Sequence, residues 1–277
     1  MYKKIVLTGA AGRLGSYLRE PIAEICETLV SSDIVQDIGK TLENESYQQA
    51  DLANYEQVAQ ALEGADLVVH FGAYADEATF KTILGPNIVG AYNIWESAFQ
   101  NGLKRVIYAS SIHAVGMHKA VDNIDTLAPH KPDTFYGLAK CFTEDLAQMY
   151  WDKRGLESVC LRILSCAQVT SERALSTWLS YPDLVRLVIA SIEAEGVGAH
   201  VVYGVSNNAR VSVDNRSAAA KIGYEPQDNA EQFAPEVLAK NEPASAGTEY
   251  VGGPFAAVEL GNSGMAAMDI VYDTKEV

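Results

Sequence analysis

An α/β fold, a doubly wound parallel sheet, is what this sequence predicts, and three observations carry the prediction. Apolar stretches of strand length alternate with segments of helical period through the first 165 residues. A glycine turn, Gly9-Ala-Ala-Gly-Arg-Leu-Gly15, falls between the first strand and the first helix. The second strand closes on a carboxylate, Asp33. Strand, glycine turn, helix, strand and acid in that order make a dinucleotide-binding unit of the Rossmann type.

Taken in order, Tyr2–Thr8 is a short apolar strand and Ser16–Glu24 a helix. In the turn between them Gly9 permits the tight bend, Gly12 lets the backbone approach a pyrophosphate, and Gly15 lets the helix pack on the strand. The pyrophosphate then meets the helix N-terminus. Glu27–Asp33 is the second strand and Tyr47–Asp51 a third, ending Asp51-Leu52, after which Asn54 caps a helix running to about Gly64. Ala65–Phe71 has the pattern of a buried strand and ends in Phe71-Gly72-Ala73; His70, inside that apolar run, reads as a packed core histidine. Residues 76–101 read as one long helix with two polar intruders, Asn87 and Asn93. Lys104–Ser110 is the next strand, continuing Ser111-Ile112-His113.

Phe135, Leu138, Phe142, Leu146 and Met149 recur at helical spacing after Pro132, which puts Tyr136 and Lys140 on one helix face. A free phenol loses its proton near pH 10. A neighbouring ammonium favours the phenolate and lowers that value, so the pair reads as a general base that needs no metal. Gly155–Ile163 is a further strand, Ser165–Arg173 a polar loop, and Asp183–Glu195 a helix. Val201–Tyr203 is a short strand, and Ser212–Gly223 a short helix closed by its glycine. Residues 242–277, rich in Gly, Ala and Ser, read as either a partner-bound arm or a floppy tail.

The totals bound the function. Lys+Arg 21 against Asp+Glu 36 gives a net charge of −15, which argues against nucleic-acid and anionic-membrane partners. It suits a salt-rich habitat or simply an acidic protein. The four cysteines, Cys26, Cys141, Cys160 and Cys166, lie in apolar runs without paired metal spacing, so no metal site and a reducing cytoplasmic setting are expected. The N-terminal residues lack a signal-peptide pattern, and no apolar run reaches the length of a membrane span.

The spacing Gly9-x-x-Gly12-x-x-Gly15, with Ser111, Tyr136 and Lys140 following in chain order, resembles the extended branch of the short-chain dehydrogenase/reductase superfamily. That resemblance covers residues 1–165 and implies a cofactor site of Gly9, Ala11, Gly12, Arg13, Leu14 and Gly15 at the pyrophosphate. Asp33 would sit on the adenosine ribose, Asp51 and Leu52 at the adenine, and Phe71, Gly72 and Ala73 along the cofactor. Asn87 would support the site, and Tyr136 and Lys140 would reach the nicotinamide side. The carboxylate of Asp33 would repel a 2′-phosphate, which favours NAD over NADP. Extended members often dimerise through two long helices, here 76–101 and 136–153, which implies a homo-oligomer.

Ser165-Cys166, Arg173, Leu-Ser-Thr-Trp178, Ser111-Ile112-His113 and Tyr136–Phe142 are together similar to bacterial uronate dehydrogenases. That family oxidises C1 of glucuronate or galacturonate to an aldarolactone with NAD. The likeness implies that Arg173 and Ser165 meet the substrate carboxylate and that Ser111 holds the anomeric hydroxyl. Tyr136 would take its proton, and His113 would bond a sugar hydroxyl or stand one layer back. Ile112 and Ala75 occupy substrate-site positions where the family commonly carries polar contacts. Organisation follows suit: a single domain over 1–277, with an NAD-binding core at 1–165 and a small substrate lobe and C-terminal arm at 166–277. Alternatives on the same scaffold are a sugar-nucleotide epimerase, a hydroxysteroid-type dehydrogenase, or an NAD-sensing regulator. The Tyr-Lys pair beside Ser111 argues against the last.

Overall fold

The structure, a computed structural model, describes residues 1–240 and 246–267. Seven strands, β1 (Tyr2–Thr8), β2 (Cys26–Asp33), β3 (Glu45–Gln49), β4 (Leu67–His70), β5 (Arg105–Tyr108), β6 (Glu157–Ile163) and β7 (Ala199–Gly204), form one sheet in the order β3-β2-β1-β4-β5-β6-β7. All six pairings are parallel. The strands alternate sides as period two requires. Ile5, Leu7, Leu67, Val69, Val159 and Leu161 face one layer; Val6, Val68, Val106 and Cys160 face the other. The first layer is covered by α1 (Arg13–Ala23), α7 (Tyr181–Glu193) and α8 (Arg216–Ile222), the second by α2 (Tyr55–Leu62), α4 (Gly90–Gln100) and α5 (Phe135–Arg154), and the one-turn α6 (Ala174–Thr177) precedes α7. The sheet continues past residue 165 into β7, and α7 and α8 pack in the same core as α1.

Local signals explain most boundaries. Asn54 accepts from the Gln57 amide at the start of α2, and Thr134 from the Gly137 amide at the start of α5. Gly155 and Gly223 end α5 and α8 in the left-handed conformation. The long helix expected over 76–101 is corrected. Helix begins at α3 (Phe80–Ile83), passes through a π-helical turn (Leu84–Val89) and only then becomes α4. Pro86 sits inside that turn. It has no N–H to continue the ladder and crowds the preceding carbonyl, and the Gly90 amide reaches back to the Gly85 carbonyl instead.

His70 is a core histidine: it is 2% exposed, its Nδ1 lies 2.7 Å from Thr8 Oγ1, and burial pushes its pKa down to about 3. All four cysteines are buried. Among the described residues no helix is long and apolar enough to cross a membrane. The arm-or-tail reading of 242–277 is overturned for its described part, since Val251 and Phe255 are core residues. Residues 242–245 and 268–277 lie outside the described residues.

Candidate active site

A cleft of about 1360 Å³ runs along the carboxyl ends of the strands, across the point between β1 and β4 where the winding reverses. Its first half is the glycine turn. Gly9 has φ +73°, and a Cβ there would lie 2.5 Å from the Gly72 nitrogen. A Cβ on Gly15 would lie 2.0 Å from the Gly9 carbonyl oxygen, so only glycine lets α1 close on the turn. The N-cap of α1 is Gly12, with no side chain closing the helix end, and residues 11–15 line the cleft. Open amides on a helix N-terminus suit a pyrophosphate. Asp33 accepts from the Ala11 amide at 3.0 Å and the Ile34 amide at 2.7 Å, which fixes its carboxylate at the lip. Asp51, Leu52, Phe71, Gly72 and Ala73 line the same half. The donor set therefore fits a dinucleotide. Arg13 spans to the other half, bonding the Cys166 carbonyl and the Tyr181 hydroxyl.

Asn93, given no role by its sequence, donates to the Leu52 carbonyl at 2.8 Å and holds that loop. Asn87 is corrected: it does not line the cleft. Its amide is spent on Tyr74, accepting from the amide at 2.8 Å and donating to the carbonyl at 3.0 Å. It shapes the 71–75 turn from behind.

Ser111, Tyr136, Lys140 and His113 meet at the centre of the cleft. Thr134, the helix cap, sets Tyr136 in the first turn of α5, and Ser111, just past β5, stands beside the phenol, where its hydroxyl favours the phenolate. Lys140, one turn on, donates to the Ala109 carbonyl at 2.7 Å, with Nζ 5.0 Å from the Tyr136 ring centre. Burial pushes its ammonium down to about 7, against the pull of Glu144. Burial holds Tyr136 above the ordinary phenol range, and the Ser111 hydroxyl opposes it.

His113 Nδ1 lies 2.8 Å from Asp133 Oδ2, and its ring stacks on Phe255 at 4.2 Å. Asp133 is itself enclosed: a Cβ on Gly116 or Gly252 would come within 2.0 Å of Oδ2. Neither Phe255 nor Gly252 was singled out from the sequence. Gly252-Gly-Pro-Phe255 was the one available signal, a tight glycine pair before an aromatic in an otherwise featureless stretch.

At the far end Arg173 donates to the Val251 carbonyl at 2.8 Å. Gly253, at φ +63°, presses on the guanidinium, and a Cβ there would lie 2.3 Å from Nε. No carboxylate among the described residues comes within ion-pair distance of Arg173. Burial pushes its pKa down to about 10, which still leaves it charged at neutral pH. Ser165, fixed between Thr177 and Leu179 by backbone bonds of 3.1 and 2.7 Å, and Ala75 also line the cleft. Ile112 is corrected: it is 1% exposed and points away from the cleft into a core with Val115, Tyr203 and Val251. Among the described residues no cluster could hold a metal ion.

Residues 5–167 match the NAD dependent epimerase/dehydratase family. A uronate dehydrogenase of Pseudomonas putida is 43% identical over 258 residues, 92% of this chain and 96% of that protein. Among solved structures, a variant of the uronate dehydrogenase from Agrobacterium tumefaciens complexed with NAD superposes with a TM-score of 0.88 at 37% identity, covering 93% of this chain and 98% of that one. Glucuronic acid dehydrogenase from Chromohalobacter salexigens superposes with a TM-score of 0.89 at 36% identity, covering 94% and 98%.

Proposed function

This chain belongs to the NAD dependent epimerase/dehydratase family, among its uronate dehydrogenases, and from that premise we propose that it oxidises the C1 hemiacetal hydroxyl of a hexuronate to the aldarolactone with NAD. One observation supports the substrate class above others. Arg173 is a positioned cation, walled in by residues 251–253, with no carboxylate within ion-pair distance among the described residues and the charge of Asp133, already paired with His113, acting on it from farther off. A partly buried charge calls for a partner, and a planar guanidinium fits a carboxylate in two places. With the C6 carboxylate there and Ser165 beside it, C1 comes to the Ser111–Tyr136 end.

Bound along the glycine turn, NAD would supply the acceptor for the hydride that leaves C1. The residues do the rest. Ser111 holds the anomeric oxygen, and Tyr136 takes its proton as C1 becomes the lactone carbonyl. Burial disfavours the phenolate, and the Ser111 hydroxyl is the group that opposes it. His113 lines the cleft and, with Nδ1 engaged by Asp133, has Nε2 left as a partner for a ring hydroxyl. Asp33 selects NAD by opposing a 2′-phosphate.

The protein works as a homo-oligomer in a reducing cytoplasm on this reading. Tyr92 and Phe99 on α4 and Leu138, Phe142 and Met149 on α5 are all at least 37% exposed, an apolar stripe across two neighbouring helices suited to a second copy. Buried cysteines suit the compartment. The deciding experiment is absorbance in the NADH band with purified protein, NAD, and glucuronate, galacturonate or glucose. Net reduction with the uronates supports the proposal. None with any of them, with C4 epimerisation of a sugar nucleotide instead, would replace it with an epimerase.

A further inference from the structure

Glu77 lies outside the cleft lining, carries no role in the chemistry above, and is 1% exposed. No cation among the described residues pairs with it. A buried carboxylate without a counter-ion is costly unless hydrogen bonds stabilise it. Both oxygens are in use. Oε2 accepts the backbone N–H of Tyr136 at 2.8 Å, and Oε1 accepts the backbone N–H of Gly261 at 2.9 Å. The first is an amide in the opening turn of α5, where helix amides lack partners and negative charge is favoured. Thr134 satisfies the Gly137 amide of that turn from next door, whereas the Tyr136 amide is satisfied from 59 residues away. The neighbouring Asp76 accepts the amides of Gly264 and Met265 at 3.0 Å each and the hydroxyl of Ser263. The segment held by these two carboxylates is the continuation of the one whose Phe255 stacks on His113 and whose Val251 carbonyl fixes Arg173.

We propose that Glu77 is a positioning residue for Tyr136, its carboxylate bridging the first turn of the Tyr136 helix to the C-terminal segment that walls the substrate end. This rests on Tyr136 acting as the base. Glu77 acts through the backbone of that turn. With one oxygen on Tyr136 and the other on Gly261, it sets the phenol against Ser111 and against the Phe255-bearing wall in the same stroke. Its loss leaves the glycine turn untouched, so dinucleotide binding is preserved while alignment at C1 is not.

The test is Glu77→Gln, an isosteric change whose amide group cannot accept the second N–H, with Glu77→Asp and Tyr136→Phe alongside. Active sites are counted by NADH fluorescence titration, and kcat is expressed per NADH bound, so that a loss of folded protein does not register. Misalignment near an ångström costs on the order of 100-fold, so kcat with glucuronate should fall by roughly 10- to 100-fold while the NADH dissociation constant stays within about twofold. Glu77→Asp keeps the charge but reaches one amide, and should recover part of kcat. If Glu77→Gln binds no NADH, Glu77→Asp decides by the same criterion, a kcat reduction with NADH affinity intact. A kcat within about twofold of wild type, or a loss confined to NADH affinity, overturns the proposal. An inactive Tyr136→Phe with an unimpaired Glu77→Gln defeats the proposal alone. An active Tyr136→Phe defeats the base assignment, and the proposal with it.

Discussion

Removing the Arg173 guanidinium separates a uronate enzyme from one that takes neutral sugars. The side chain is held at two points, through its 2.8 Å bond to the Val251 carbonyl and by the close approach of Gly253, so little of its geometry must be organised when substrate arrives. Burial brings its pKa to about 10, and it therefore stays charged at the pH of assay. A charge-assisted hydrogen bond contributes roughly 1.5–3 kcal/mol, or about 10- to 150-fold in kcat/KM for a substrate carrying the carboxylate. For glucose, which lacks that carboxylate, the expected change is within about threefold, an effect of less than 1 kcal/mol. Arg173→Ala should thus raise KM for glucuronate strongly and lower kcat through lost alignment, since the contact fixes the ring although it lies far from C1. Arg173→Lys should recover only part, because an ammonium reproduces the charge and not the fork. The measurement is kcat/KM for glucuronate and for glucose on wild type and both variants. An unchanged glucuronate-to-glucose ratio in Arg173→Ala would refute the assignment and direct attention to Lys240, which also lines this cleft.

Tyr136→Phe should abolish turnover, with a loss of about 10²–10⁴ for one general base, while NADH binding persists by fluorescence titration; more than half the activity remaining would place the base elsewhere. Wild type should turn over with NAD and scarcely with NADP, and Asp33→Ala combined with an arginine at Ile34 should narrow that gap in kcat/KM; equal wild-type rates with both cofactors would remove Asp33 as the selector. Stability should carry a signature of His130, whose protonated form is favoured first by the hydrogen bond to Glu144 and opposed by burial. Its folded pKa lies above the unfolded value of 6.5, so this contribution is complete below that pH and is lost as pH rises through the folded value. The wild-type Tm should therefore fall relative to that of His130→Gln as pH rises above 6.5, and parallel Tm curves would show that the pair is not coupled to folding.

The first two-thirds of the fold could be read from the chain because each element is specified by its neighbours in sequence. Buried parallel strands are unbroken apolar runs, Gly9 and Gly15 announce a turn that no side chain could enter, and Asn54, Gly155 and Gly223 punctuate helices with local bonds. The glycine turn, Asp33, Tyr136 and Lys140 were visible for the same reason, residue type and spacing, whereas Ser111 and Arg173 were legible through the family resemblance. Only the folded chain decided which side of a wall each candidate faces. Ile112 and His113 are adjacent in sequence, yet one enters the core and the other the cleft, because the backbone turns into a 3₁₀ helix after Ser111. Asn87 spends its amide behind the site because the proline-driven π turn rotates it there. Phe255, Asp133 and Glu77 owe their places to contacts across as many as 184 residues, set by burial and by the hydrogen-bonding needs of backbone amides, which no local pattern encodes. The phenol and the ammonium likewise carry their ordinary affinities for protons in the sequence, and it is the withdrawal of water around Tyr136 and Lys140 that moves them in opposite directions.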